Sequence, residues 1–339
     1  MTNSGAVDVS VIIPLYNSQT FLENTVLSIL EQSKYKFEII LIDDGSTDRT
    51  WNICKEIKRK YDCIKIFHQD NKGLCAARNF GIDKANGRYI AFCDHDDWFK
   101  RNLIRDNIEL ADKYDADIVK FGFEFYCGDN FILSSQTISD DPLNIDVNVY
   151  NELDKKIFLS LFQNSKLSFV WDGLFRKELL EKNNIRFDLR FKHGHEDRLF
   201  SMLSLTKANR IVINNNIYYR HMDYVSSTSN KYYINYIDDT FYLLKKELEI
   251  ASQFGVKESA YFIRDAIILI FFYIFKCSNN IKICEREKIF KRMMKEYDLK
   301  EIGWRYNYSL SEKILFTIYY LRMYRMLALG TVIYKFLKR

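Results

Sequence analysis

The stretch Tyr89-Ile90-Ala91-Phe92-Cys93-Asp94-His95-Asp96-Asp97 decides how this chain is read, because an unbroken apolar run ends abruptly in an acidic cluster. A short continuous apolar run fits a strand buried on both faces. Its polar end then lies where open α/β sheets bind ligands, beyond the carboxyl ends of the strands. Alternate residues of an extended chain project to one side, so Asp94 and Asp96 face a common site. Two hard carboxylates at that spacing suit Mg2+ or Mn2+ carrying a diphosphate. An acidic turn capping a following helix is the competing reading of the tetrapeptide alone. A calcium EF-hand is excluded, since Phe99 and Arg105 stand where that loop needs Gly and Glu.

The same pattern recurs upstream and just downstream. Val9 to Pro14, Phe37 to Asp43, Ile64 to His68 and Ile118 to Phe125 read as further buried strands. Helical patterns separate them: Thr20 to Gln32, opened by Thr20 and Glu23 at capping-box spacing, Asp48 to Tyr61, and the Ala-rich Leu74 to Ala85. This alternation predicts a Rossmann-like α/β fold, a mostly parallel sheet with helices on both faces. Polar residues follow each strand: Pro14-Leu15-Tyr16-Asn17, Asp43-Asp44-Gly45-Ser46 and Gln69-Asp70-Asn71. Asp43 or Asp44 can accept a hydrogen bond from a base or ribose, although Asp-Gly-Ser is also a common turn. Asn71, Lys72 and Arg78 surround Gly73 at a helix start, where backbone N–H groups and a guanidinium suit phosphate or base. Arg78 equally fits a solvated helix position.

Farther on, residues 128–150 are polar, carry Pro142 and read as a surface excursion. Glu152 to Phe162, Ser168 to Leu180 and Phe187 to Leu205 read as helices, and Asn214 to Arg220 as a strand. From about residue 235 the pattern is helical, basic and aromatic, so the expected domains are 1–232 and a helical C-terminal 233–339. Within the third of those helices, Glu196-Asp197 offers a carboxylate that could take a proton from an acceptor hydroxyl; an exposed acidic pair is the plainer alternative. His193, His195 and Asp197 also resemble the start of a binuclear metal motif, but Arg198 replaces its next histidine.

Bulk properties narrow the classes. The 339 residues are 47% hydrophobic and 28% charged, which is globular usage and sufficient for more than one domain. The net charge of +5 suits a phosphorylated ligand or an anionic surface and falls short of a nucleic-acid signature. Seven scattered cysteines without C-x-x-C spacing fit reduced thiols in a cytoplasmic protein, and no secretory signal is visible. Ala266 to Phe275 is shorter than the roughly 20 apolar residues a span needs, and Ile314 to Leu337 is interrupted by Arg322 and Arg325. No Walker loop or G-x-G-x-x-G follows the first strand, which removes the main support for ordinary ATPase and dinucleotide-oxidoreductase readings.

In order, Val9 to Asn17, Ile42 to Asp48, Asn71 to Asn79, Gly87 to Trp98, Leu174 to Leu179 and Glu196-Asp197 resemble the GT-A glycosyltransferases of family 2, over about residues 8 to 229. That resemblance implies an inverting, metal-dependent transfer from a UDP-sugar donor, with Mn2+ or Mg2+ as cofactor. It implies that Pro14 and Tyr16 border the base, that Asp44 binds the pyrimidine, and that Asn71 and Arg78 help hold the nucleotide. Asp94 and Asp96 would form the D-x-D pair around His95, Asp94 toward ribose and Asp96 toward the metal. Asp197 would be the general base, with Trp98, Trp171 and Glu196 on the acceptor side. Some relatives add a downstream histidine to the metal, and His221 holds the corresponding place, with Arg220 toward the diphosphate. The implied partner is a glycan or lipid-linked acceptor, and the implied setting bacterial capsule or other surface-polysaccharide synthesis. The basic helix Ser311 to Arg339 suits docking at the inner membrane face, oligomerisation or a lid. Nucleotidyl transfer and a non-catalytic binding role are the alternatives.

Overall fold

The computed structural model describes residues 6–127, 131–136, 147–151, 168–192, 194–222, 233, 235–255, 260–276 and 281–296. The chain divides into two compact units, Met1–Ser227 and Thr228–Arg339. The proposed helix Glu152 to Phe162, His193 and the basic segment Ser311 to Arg339 lie outside the described residues.

In the first unit, β1 (Val9–Leu15), β2 (Phe37–Asp44), β3 (Ile64–Gln69) and β4 (Tyr89–Phe92) alternate with α1 (Leu22–Leu30), α2 (Thr50–Lys60) and α3 (Leu74–Lys84). Every residue of β1 and β4 is buried, and their nearly continuous apolar sequence is what a strand covered on both faces requires, with the hydroxyl of Ser10 donating to Glu38 Oε1 at 2.6 Å. Pairing is parallel through β3-β2-β1-β4. The order reverses at β1, and a crevice at such a reversal is the usual ligand position in open α/β sheets. Helix α3 packs closely on this sheet because Gly81 faces it: a Cβ there would lie 2.4 Å from Ile12 Cγ2 and 2.9 Å from Ile42 Cδ1.

Beyond β4 the sheet is mixed, which refines the mostly parallel expectation. After β5 (Trp98–Phe99) and α4 (Leu103–Tyr114) come β6 (Ile118–Cys127), β7 (Phe131–Gln136) and β8 (Val147–Tyr150). Next are β9 (Gly173–Arg176), α5 (Lys177–Lys182), α6 (Glu196–Lys207) and β10 (Ile211–Met222). The order is β3-β2-β1-β4-β9-β6-β10-β5, with β7 on β6 and β8 on β10. Strand β9 runs antiparallel to both β4 and β6, while β10 lies parallel to β6.

Three expectations are corrected here. Ser168 to Leu180 is not one helix: Gly173–Arg176 is a strand, because β4 and β6 each leave an edge that only a third strand can satisfy. Phe187 to Leu205 becomes helical only at Glu196, after Gly194 and His195 turn the chain at φ 106° and 74°. The polar excursion over residues 128–150 contains β7 and β8, whose antiparallel pairing with β6 and β10 supplies hydrogen bonds that polar sequence does not advertise.

In the second unit α7 (Tyr236–Gln253), α8 (Ala260–Lys276) and α9 (Ile283–Glu296) bury Phe241, Leu244, Phe262, Ile267, Ile270, Ile274 and Phe290. Tyr236 and Tyr273 stack with centroids 4.1 Å apart. No described helix is long and apolar enough to cross a membrane.

Candidate active site

The loops beyond β1, β2 and β3 are tied into one surface. Asn17 N–H donates to Ser46 Oγ at 2.9 Å, and Thr47 N–H donates to Asn17 Oδ1 at 2.9 Å. Asp44, buried at the end of β2, accepts from Gln69 Nε2 at 2.6 Å, Lys72 N–H at 2.8 Å and Gly73 N–H at 2.8 Å. A carboxylate offers about four acceptor positions, so one remains for a ligand N–H. Gly45 sits at φ 74° against Asn71, whose backbone nitrogen would lie 2.7 Å from an added Cβ. Glycine is needed there for conformation and for closeness alike. Pro14 is buried in β1 opposite Ile42, whereas Tyr16 is 49% exposed and Asn71 is exposed at the rim.

Arg78 is the centre of the constellation. It is 1% exposed, not the solvated helix residue that its sequence position allows. Its Nη2 donates to Asp94 Oδ1 at 2.9 Å, and its Nη1 to Glu196 Oε1 at 3.3 Å and to Asp197 Oδ1. The three carboxylates come from the end of β4 and the first turn of α6, and only folding brings them together. Among the described residues, Arg78 Nε and Glu196 Oε2 are buried without a hydrogen-bond partner. Phe187, Phe92 and Phe200 pack beneath: Phe187 and Phe200 stack at 4.1 Å, and the guanidinium lies 5.2 Å over Phe187. Burial raises the Asp197 carboxyl, Arg78 opposes that rise, and Glu196 and Asp94 add to it. The Asp197 side chain keeps 17% of its surface, so one edge stays open while Arg78 holds the other.

The acidic cluster divides its labour. Asp97, fully buried, accepts from Tyr219 O–H at 2.6 Å and Met222 N–H at 2.8 Å, and holds His221 Nδ1 at 3.0 Å. The same Tyr219 hydroxyl accepts from Asp94 N–H at 3.2 Å. These contacts exist because β5 pairs with β10, setting Trp98 opposite Arg220. His221, on β10, is raised to about 9: burial works against its charge, but Asp97 outweighs it. His95 anchors the turn through its carbonyl, which accepts from Thr25 Oγ1 at 2.8 Å. Asp96 has no protein hydrogen bond among the described residues, and burial together with Asp97 raises its carboxyl to about 6.

Among the described residues no three His, Cys, Asp or Glu side chains close around a point as a ready-made metal cage. Mg2+ bound with a nucleotide needs no such cage, since one or two carboxylates, phosphate oxygens and waters complete its shell. Asp96, unpaired and acidic, fits that donor set. Asp94 is shared with Arg78, and His221 has its second ring nitrogen beyond the Asp97 contact.

Two expected acceptor-side residues are placed differently from one another. Trp98 is 37% exposed beside Arg220. Trp171 is corrected: it is 3% exposed, stacked on Phe169, Tyr219 and His221 at 4.4, 4.7 and 5.4 Å, and so supports the His221 ring instead of presenting a face to ligand. Arg220 turns to Glu124, its Nε donating to Oε1 at 2.7 Å. Sequence reading passed over Asp97, Asn17, Gly45 and Tyr219; the first three stand inside the loop motifs, whereas Tyr219 had no local signal.

Comparison with known proteins identifies the family and the fold. A putative glycosyltransferase of Bacillus subtilis, EpsH, is 29% identical over 66% of this chain and 63% of its own length. The uncharacterised glycosyltransferase EpsJ of the same bacterium is 33% identical over 60% of this chain and 57% of its own. The chain therefore spans somewhat under two thirds of these relatives. A crystal structure of Staphylococcus aureus TarS, residues 1–349 in complex with UDP, shares the fold with TM-score 0.67 at 19% identity, over 95% of this chain and 90% of that one. The family model described as glycosyl transferase family 2 matches residues 10–183, just over half of the sequence, and the chain belongs to that family.

Proposed function

We propose that this chain is a metal-dependent, inverting glycosyltransferase that moves a sugar from a UDP-sugar onto a hydroxyl of a glycan or lipid-linked acceptor. The observation that carries the reading is the convergence of Asp94 and Asp197 on one buried arginine. An acid at the end of β4, beside the nucleotide loops, and an acid at the start of α6 are thereby fixed in one constellation. The UDP bound by TarS, which has the same fold, supports the choice of donor nucleotide.

In this reading Asp44, held by the Lys72 and Gly73 N–H groups, borders the base together with Asn71, Pro14 and Tyr16. The open edge of Asp197 takes the acceptor proton as the acceptor oxygen bonds to the anomeric carbon and the bond to the diphosphate breaks. One displacement inverts the configuration. A divalent ion at Asp96, with Asp94 and His221 beside it, would neutralise charge on the departing diphosphate. Assembly of bacterial surface polysaccharide is the setting that family analogy supports.

The test is UDP release from a panel of UDP-sugars, with and without EDTA. Asp96→Asn and Asp197→Asn are expected to lose at least about 100-fold in turnover, with circular dichroism unchanged. Full turnover in either variant, or in EDTA, would refute the corresponding role.

A further inference from the structure

Helix α3 carries Cys75, Arg78, Asn79 and Ile82 at spacings that share one face. That face grips the segment leading into α6. The Asn79 side chain makes both hydrogen bonds that a neighbouring strand would make with Phe187: Nδ2 donates to Phe187 O at 2.9 Å, and Oδ1 accepts from Phe187 N–H at 2.8 Å. One turn earlier, Cys75 Sγ donates to Phe191 O at 3.0 Å. One turn later, Asp83 pairs with Arg186 Nη2 at 2.9 Å. Phe187 and Phe191 are 2% and 1% exposed, so backbone polar groups beside them need such partners.

Among its described residues, the segment from Phe187 to His195 has no helix or strand of its own to fix it. Yet it ends at Glu196 and Asp197, which return to Arg78 on the same face of α3. Electrostatics alone place these carboxylates poorly: Asp94, Glu196 and Asp197 repel one another, and one guanidinium cannot cancel three charges. The Asn79 and Cys75 bonds are neutral. They hold the segment whatever the charge state of the cluster.

We propose that Asn79 is a positioning residue for the transfer, fixing the backbone before α6 so that Asp197 meets the acceptor oxygen. The proposal rests on Asp197 being the general base. Displacement of a reacting group by about 1 Å can cost on the order of 100-fold in rate, so Asn79→Ala should lower kcat by about 10- to 100-fold with the KM for donor nearly unchanged. Asn79→Asp keeps the acceptor for Phe187 N–H, loses the donor, and guards against a variant that fails to fold.

Both variants and Asp197→Asn are assayed by UDP release from UDP-N-acetylglucosamine, UDP-glucose and UDP-galactose. In parallel, amide hydrogen exchange is followed over residues 186–200. Faster exchange at Glu196 to Leu199, with sheet protection retained and kcat reduced, is the expected result. Unchanged exchange there overturns the positioning role whatever the turnover. An inactive Asp197→Asn with full-rate Asn79 variants removes the positioning role alone. An active Asp197→Asn removes the base assignment and this proposal together.

Discussion

At the scale of single residues, Arg78 decides most. Its guanidinium offers five donors in a fixed fork and so reaches three carboxylates at once; the ammonium of lysine is a single point and cannot. Arg78→Gln strands buried acids without a counter-charge and should cost about 3–5 kcal/mol of stability, read as a lowered urea midpoint at pH 7. Arg78→Lys should fold but change the pH profile. The base acts when ionised, so kcat/KM rises with pH through the Asp197 carboxyl, which burial has already moved up from ~3.9. Arg78 opposes that movement, and weakening it shifts the acid limb to still higher pH. An acid limb that stays in place in Arg78→Lys would separate Arg78 from the base. Local sequence made Asp44, Asp94 and Asp96 stand out as candidates because each lies at or just beyond the end of an apolar strand, whereas Asp197 stood out only as half of an acidic pair inside an expected helix. The burial of Arg78 and Trp171 was not readable, since the first depends on α6, 119 residues away, and the second on β10, about 50 residues away.

At the scale of elements, the first four strands and α1 to α3 could be read directly, because each strand is built on a β-branched or aromatic apolar run and a polar turn separates it from the helix that follows. Strand β9 could not. The apolar residues of Ser168 to Leu180 also fit a helical period, and what makes Gly173–Arg176 extended is the pair of strands on either side of it. Helix α3 links the two halves of the site: Asp44 binds the backbone at its start, and Arg78 and Asn79 grip the second half along its length. Its closeness to the sheet depends on Gly81. Gly81→Ala should force Ile12 and Ile42 apart and cost about 1–3 kcal/mol, with UDP affinity falling as α3 lifts; thermal unfolding and calorimetric titration of UDP measure the two effects.

At the scale of the whole molecule, every residue assigned to donor or base lies between Pro14 and His221, inside the first unit. A cavity in the helical unit should therefore lower stability without touching nucleotide affinity. Ile270→Ala, at a fully buried position of α8, is expected to cost about 2–5 kcal/mol and to leave the UDP dissociation constant unchanged, and a weaker UDP affinity would contradict it. The antiparallel β9 has a different consequence, for the order in which the chain folds. Strands β1 to β4 are close in sequence and can pair as soon as they are synthesised, but β4 must keep an unpaired edge until residues 173–176 emerge. Loop closure over such separations is slow, and an open edge invites pairing with other chains. Closing the β4 edge with this four-residue strand is thus expected to be a late step in refolding, and the partly folded state before it to be prone to aggregate.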